Sequence, residues 1–289
     1  MANCISCGRA LPRTIFGQSS NVCTDCRSAA VTVPASETLS PSLSGPPQPR
    51  AIARSYPPLT ALLVGLNVAV YAAMVVSGVS PLAPQVPQLL RWGANWGPLS
   101  LGPQPWRILA SNYLHGGLLH IALNMWCLWN LGSLAERIFD APTYLLTYTV
   151  CGLSGSLVSL WWHPTVVGVG ASGAIFGFAG ALIAALYLGH LPIPKEALRG
   201  TLRSLVTFAA YNLFFGALPG IDNSAHIGGL LAGLALGAGM SSHLISPPEV
   251  RAGWRRAVFI TAGLLLAVLF LVIRHAHGGV LPNSLNPAT

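Results

Sequence analysis

The chain alternates between long apolar runs and short polar interruptions. No Asp, Glu, Lys or Arg occurs in 55–90, 108–135, 141–194, 223–248 or 257–273. A helix needs about 20 predominantly apolar residues to cross the hydrocarbon core of a bilayer. Only helices and closed barrels satisfy their backbone polar groups there. These runs hold several spans, and seven transmembrane helices are expected, over 59–77, 114–134, 142–161, 171–189, 203–219, 224–242 and 257–274. The intervening segment 78–113 is too long for a tight turn and is rich in Pro, Gly and Trp, a composition suited to the membrane interface.

Composition agrees with this pattern. Of 289 residues, 53% are hydrophobic, and the charged residues number only 15 Lys+Arg and 7 Asp+Glu, or 8%. Soluble domains carry about 25% charged residues, so a soluble enzyme is excluded, and disorder of the whole chain is excluded by its hydrophobicity. The expected fold class is an all-α polytopic membrane protein. The formal net charge of +8 would fit a nucleic-acid protein, but membrane proteins collect Lys and Arg in their cytoplasmic loops. With a cytoplasmic N-terminus, all basic residues fall inside except Arg91, Arg107 and Arg274. The expected orientation is N-in and C-out, and no nucleic-acid partner is expected.

Ahead of the first span, 28–58 is rich in Pro, Ser and Ala and reads as a flexible linker. Residues 1–27 hold Cys4, Cys7, Cys23 and Cys26 as two CxxC pairs, spaced as in a Cys4 zinc site. In a reducing cytoplasm these thiols are expected to hold a structural zinc rather than form disulfides. A module this short needs such a staple to fold. It is similar to the short zinc ribbons attached to many proteins.

Polar side chains inside the spans mark the chemistry. Ser172 opens the fourth span and His226 the sixth, while His115, His120 and Asn124 lie at the start of the second. Under the N-in orientation all three groups sit near the outer face. A hydroxyl, an imidazole and amide donors at one depth are the elements of Ser/His nucleophilic catalysis. Gly229, Gly233 and Gly237 follow His226 on one helical stripe, and Gly173, Gly177 and Gly180 follow Ser172. Small residues allow membrane helices to approach closely, so the two helices can pack backbone to backbone.

These residues carry a family resemblance. Gly170-Ala171-Ser172-Gly173, Ala225-His226-Ile227-Gly228-Gly229, the His115/His120/Asn124 pattern, Trp106-Arg107 and Glu136-Arg137 occur in the order and on the spans found in rhomboids. The chain resembles the rhomboid family of intramembrane serine proteases over 59–243. The resemblance implies a six-helix bundle carrying the protease, followed over 244–289 by a cytoplasmic loop, a seventh helix and a short tail. It implies Ser172 as nucleophile and His226 as general base, needing no catalytic cofactor. It implies an oxyanion site at His120, Asn124 and the Ser172 N–H. Phe176, four residues after the serine, would pack on the catalytic ring; many members have Tyr there. His115 would support the site or retain water, Trp106 and Arg107 would anchor the first loop, and Gly170 would leave room for the substrate backbone. The implied substrates are transmembrane proteins. Asp222 precedes His226 by four residues but receives little weight, because the resemblance implies a dyad.

A non-catalytic rhomboid-like client-binding protein is the alternative, and such relatives usually lack the serine or the histidine. A coupled transporter would place charges within its spans, and none is found. Short loops and the absence of an apolar leader in residues 1–30 fit a multi-pass protein of a bacterial plasma membrane. An odd number of spans places the two ends on opposite sides, so a reporter fused after Thr289 should report the outer compartment; cytoplasmic activity there would overturn the orientation.

Overall fold

The computed structural model describes residues 56–216 and 221–277. The expected zinc module at Cys4, Cys7, Cys23 and Cys26 lies outside the described residues. Seven long helices run in order: α1 (Pro58–Val76), α5 (Leu118–Ile138), α6 (Ala141–Trp162), α7 (Ser172–Leu188), α8 (Lys195–Phe215), α9 (Asn223–Ser241) and α10 (Pro248–His277). Between α1 and α5 lie three short helices, α2 (Val86–Trp92), α3 (Gly97–Ser100) and α4 (Arg107–Ala110), and a 3-10 turn over Ser111–Tyr113. The described residues contain no strand, only an isolated antiparallel bridge between Asn95 and Gly168. By length and apolarity α1, α5, α6, α9 and α10 are candidate membrane spans, and α7 is a shorter apolar helix. The protein is an all-α polytopic membrane protein.

Helix α7 is the central element. Nearly every residue from Gly173 to Leu186 is buried, and α7 packs against α5, α6, α8 and α9. Its Phe178 lies between Tyr144 and Tyr148 of α6, with ring centroids 4.7 and 5.9 Å away. The approach of α9 is closer still. A Cβ added at Gly229 or Gly233 would collide with the carbonyl oxygens of Gly173 or Gly177, and one at Gly237 with that of Ala181. The two helices therefore meet along their backbones, the arrangement that small residues permit in membranes.

The opposite ends of the helices are held by charged side chains. Glu136, near the end of α5, accepts the N–H groups of Leu59 and Thr60 at 2.8 and 2.9 Å and the Thr60 hydroxyl at 2.7 Å. Those donors at the start of α1 have no intrahelical acceptor, and a carboxylate also complements the helix dipole. Asp140 caps α6 through the Thr143 N–H at 3.1 Å and the Thr143 hydroxyl at 2.5 Å. Its other oxygen pairs with Arg255 at 2.8 Å and Arg251 at 3.2 Å. These contacts account for a departure from the expected boundaries. Helix α10 begins at Pro248 rather than 257, because its charged first turns are anchored on Asp140. Helix α8 begins at Lys195 rather than 203; its first turn is polar, carries Glu196 where the dipole favours an acid, and lies outside the apolar run. Farther along, α10 packs Ile273 and its neighbours against Leu157 and Leu160 of α6 and against Leu101 and Ile108 between α1 and α5. Its other face, including Leu264, Leu265 and Val268, is exposed, as suits contact with lipid.

Two substitutions test this architecture. Gly233→Ala should lower stability by about 1–3 kcal/mol, the range for overpacking, whereas Gly263→Ala on α10, with nothing within 4 Å, should be neutral or stabilising. Thermal unfolding in detergent reads both; equal effects would refute the close packing. Burial works against the charge of Asp140, but the Thr143 hydroxyl and N–H, Arg255 and Arg251 outweigh it and hold its carboxyl below the ordinary value. The resulting stability is present above the unfolded value of about 3.9 and is lost as pH falls through the folded one. Asp140→Ala should cost roughly 1–2 kcal/mol at neutral pH, and the gap from wild type should close on acidification; a pH-independent gap would rule out the ionic share.

Candidate active site

A cavity of about 550 Å³ lies at the end of the bundle where α7 and α9 begin and α8 ends. Ser172 is the first residue of α7 and His226 lies in the first turn of α9. Both line the cavity, as do His120 and Asn124 from α5, Gly170, Gly173 and Phe176. The structure thus brings together residues from three separate spans. No hydrogen bond joins Ser172 to His226 among the described residues, although they share the cavity; catalytic contacts are often longer before substrate binds.

The backbone before Ser172 is held on two sides. Asn95 and Gly168 exchange both of their backbone hydrogen bonds, at 2.9 and 2.8 Å. The Gly170 N–H donates to the Ser111 carbonyl at 2.9 Å, and the Asn95 amide reaches the Ser156 carbonyl at 3.0 Å. The segment between α1 and α5 thereby supports the start of α7. Gly170 has φ of +125°, a conformation available chiefly to glycine. A Cβ there would lie 2.9 Å from both Cε1 and Nε2 of His120 and 3.9 Å from Ser172 Oγ. The absence of a side chain at Gly170 lets His120 Nε2 and the serine oxygen flank the same small volume.

The tautomer of His120 follows from its other nitrogen. The Gly116 N–H donates to Nδ1 at 3.1 Å. A neutral imidazole with an accepting Nδ1 carries its proton on Nε2, so His120 presents a donor toward Gly170 and Ser172. Asn124 donates one amide N–H to the His120 carbonyl at 2.9 Å, leaving the other N–H of that amide.

His226 is 8% exposed, and its ring stacks on Phe176 with centroids 4.4 Å apart and an interplanar angle of 11°. Phe208 of α8 packs behind Phe176 at 5.6 Å. His226 Nδ1 is buried without a hydrogen-bond partner among the described residues. At the N-cap of α9, Asp222 accepts from the Ala225 N–H at 3.2 Å and the Ser224 hydroxyl at 2.5 Å, and also from the Ser159 hydroxyl of α6.

The remaining candidates lie outside the cavity lining. His115 is fully buried beside His120, with ring centroids 5.3 Å apart, and does not line the cavity. Arg107 is 5% exposed. It donates to the Leu90 and Ala94 carbonyls at 2.6 and 3.2 Å and to the Gln104 side chain at 2.6 Å. These contacts tie together the segment that carries Asn95. Trp106 is 53% exposed, with the Arg107 guanidinium 5.0 Å from its ring centroid.

Sequence reasoning missed Asn95, Gly116, Ser159 and Cys127, all of which border the cavity or orient a residue in it. No periodicity or motif distinguished them, because their roles depend on contacts distant in sequence or on a backbone N–H. Among the described residues no group of three His, Cys, Asp or Glu side chains is placed to hold a metal ion.

Comparison with known proteins agrees with the geometry. A family profile described as "Rhomboid domain" matches residues 102–243. The chain is 34% identical over 216 residues to the rhomboid protease GluP of Bacillus subtilis, covering 74% of this chain and 40% of that protein. It is 38% identical over 136 residues to RHOMBOID-like protein 4 of Arabidopsis thaliana, covering 47% of this chain and 34% of that protein. The chain thus spans well under half the length of these two relatives. It is 32% identical over 236 residues to the rhomboid protease AarA of Providencia stuartii, covering 74% of this chain and 82% of that protein. With the profile falling on the helices that form the cavity, and a relative matched over most of its length, the chain belongs to the rhomboid family.

Proposed function

We propose that this protein is an intramembrane serine endopeptidase that cleaves membrane-protein substrates in or near their transmembrane segments through a Ser172–His226 dyad. The observation that carries this reading is the convergence of Ser172, His226 and His120 on one cavity sunk into the end of a helical bundle. The protease domain would occupy 59–243, with α10 as an addition beyond it. The cavity would face the outer side of the membrane in the N-in orientation.

In the reaction, Ser172 Oγ attacks the scissile carbonyl carbon while His226 takes its proton. The carbonyl oxygen becomes an oxyanion, received by the His120 Nε2–H, the free amide N–H of Asn124 and the Ser172 backbone N–H. That backbone donor opens α7, so the helix dipole adds to the stabilisation. His226 then returns the proton to the leaving amine, and an activated water releases the acyl group from Ser172. The face of Phe176 fixes the plane of the His226 ring throughout. A substrate helix must unwind to expose its scissile bond, since intact helices hide their peptide groups, so segments with small or helix-breaking residues are favoured.

Purified protein incubated with a model transmembrane substrate tests this. Ser172→Ala and His226→Ala should abolish cleavage, and Asn124→Ala should slow it by about 10²–10³-fold, the usual cost of an oxyanion donor. A fluorophosphonate should label the wild type and not Ser172→Ala. Equal cleavage by wild type and Ser172→Ala would reject the assignment and favour a non-catalytic client-binding role.

A further inference from the structure

The carboxylate of Asp222 has a position that helix capping does not explain. Asparagine caps a helix about as well as aspartate and carries no charge into a membrane protein, where charge is costly. The other described carboxylates, Glu136, Asp140, Glu196 and Glu249, do not line the cavity. Asp222 shares the end that holds Ser172, and it lines the same cavity as His226.

Three donors hold this carboxylate: the hydroxyls of Ser159 and Ser224 and the N–H of Ala225. These donors fix where the carboxylate sits. Asp222 and His226 are four residues apart, so they lie on the same side of the first turn of α9. His226 is 8% exposed, and its Nδ1 has no partner among the described residues. The other titratable groups around the cavity are His120 and Cys127, both from α5. Helix α6 contributes Gly152, Ser156 and Ser159, α7 contributes Ser172 and Phe176, and α8 contributes Phe208 and Asn212, none of them an acid or a base near neutral pH. Asp222 is the one carboxylate among the described residues lining the cavity.

We propose that Asp222 is a positioning residue for the dyad, whose carboxylate favours the imidazolium that forms on His226 when it accepts the Ser172 proton. The proton passes from Ser172 Oγ to His226 and from there to the leaving amine, never to Asp222. The attraction of the Asp222 carboxylate acts within the cavity that both residues line, beside a largely buried ring, where charges interact more strongly than in bulk water. The inference rests on the protease reading for its chemical purpose, but the coupling between Asp222 and His226 is measurable without catalysis.

The experiment uses the full chain in lipid nanodiscs with ¹³C-labelled histidine, the His226 resonance being identified by its loss in His226→Ala. In Asp222→Asn, which keeps the cap and removes the charge, His226 should titrate about 1 pH unit lower than in wild type, a tenfold loss of proton affinity. The acid limb of fluorophosphonate labelling at Ser172 should move in the same direction, with a lower plateau. Thermal stability should be nearly unchanged. Should Asp222→Asn not fold, Asp222→Ser supplies a second neutral cap and is read in the same way. An unmoved His226 titration in a folded neutral-cap variant would overturn the proposal, while Ser172 labelling in wild type would leave the protease reading intact. A moved titration in a protein that never labels would support the coupling and sink the protease reading.

Discussion

Helices α7 and α9 approach one another until the carbonyl oxygens of one occupy the space that side chains would fill on the other. Gly229, Gly233 and Gly237 face Gly173, Gly177 and Ala181 along this seam, and the rest of the site depends on it. Ser172 and His226 stand at one end of the seam, each in the first turn of its helix. Their spacing is thus set by backbone contact over several turns. No hydrophobic force draws helices together in lipid, whose tails are as apolar as leucine. The association depends on dispersion between closely fitted surfaces. A single added methyl group at the seam would be felt at the cavity.

Around that seam, polar groups do the work that water does in a soluble protein. At one end, Glu136 supplies acceptors to α1, and Asp140 caps α6 while gathering Arg251 and Arg255 from α10. At the other, the Asn95–Gly168 bridge and Arg107 hold irregular backbone without a sheet. Such backbone is tolerated at membrane depth only where protein or a water-filled cavity satisfies it. Here it borders the cavity, and it serves to support the turn into Ser172. Among the described residues, the carboxylates are therefore concentrated near the ends of helices.

Much of this was legible in the sequence. Uncharged runs marked six of the seven long helices among the described residues, and the glycine stripes on α7 and α9 indicated which two would approach most closely. The rhomboid resemblance implied that Phe176 would pack on the His226 ring, and the rings stack. The starts of α8 and α10 were not legible, since both helices extend through charged turns that an apolar criterion excludes. For α10 the reason lies in Asp140, 115 residues from Arg255 in sequence. Ser159 and Asn95 escaped notice because a polar residue in a Gly- or Ser-rich stretch has no distinctive pattern, and their partners are 63 and 61 residues away. The orientation of His120 was unreadable for a different reason. It depends on a backbone N–H, which every residue except proline possesses.

That last contact bears on the direction of proton movement. With Nδ1 occupied by the Gly116 N–H and Nε2 protonated, the neutral His120 ring has no lone pair to offer the cavity. In the proposed reaction, a second imidazole at this depth would otherwise compete with His226 for the serine proton. One glycine N–H makes the two histidines unlike: one ring can only give a hydrogen bond to the cavity, and the other is left to receive. In the proposed reaction the serine proton then has one imidazole to accept it, and a backbone N–H makes that choice before any substrate enters.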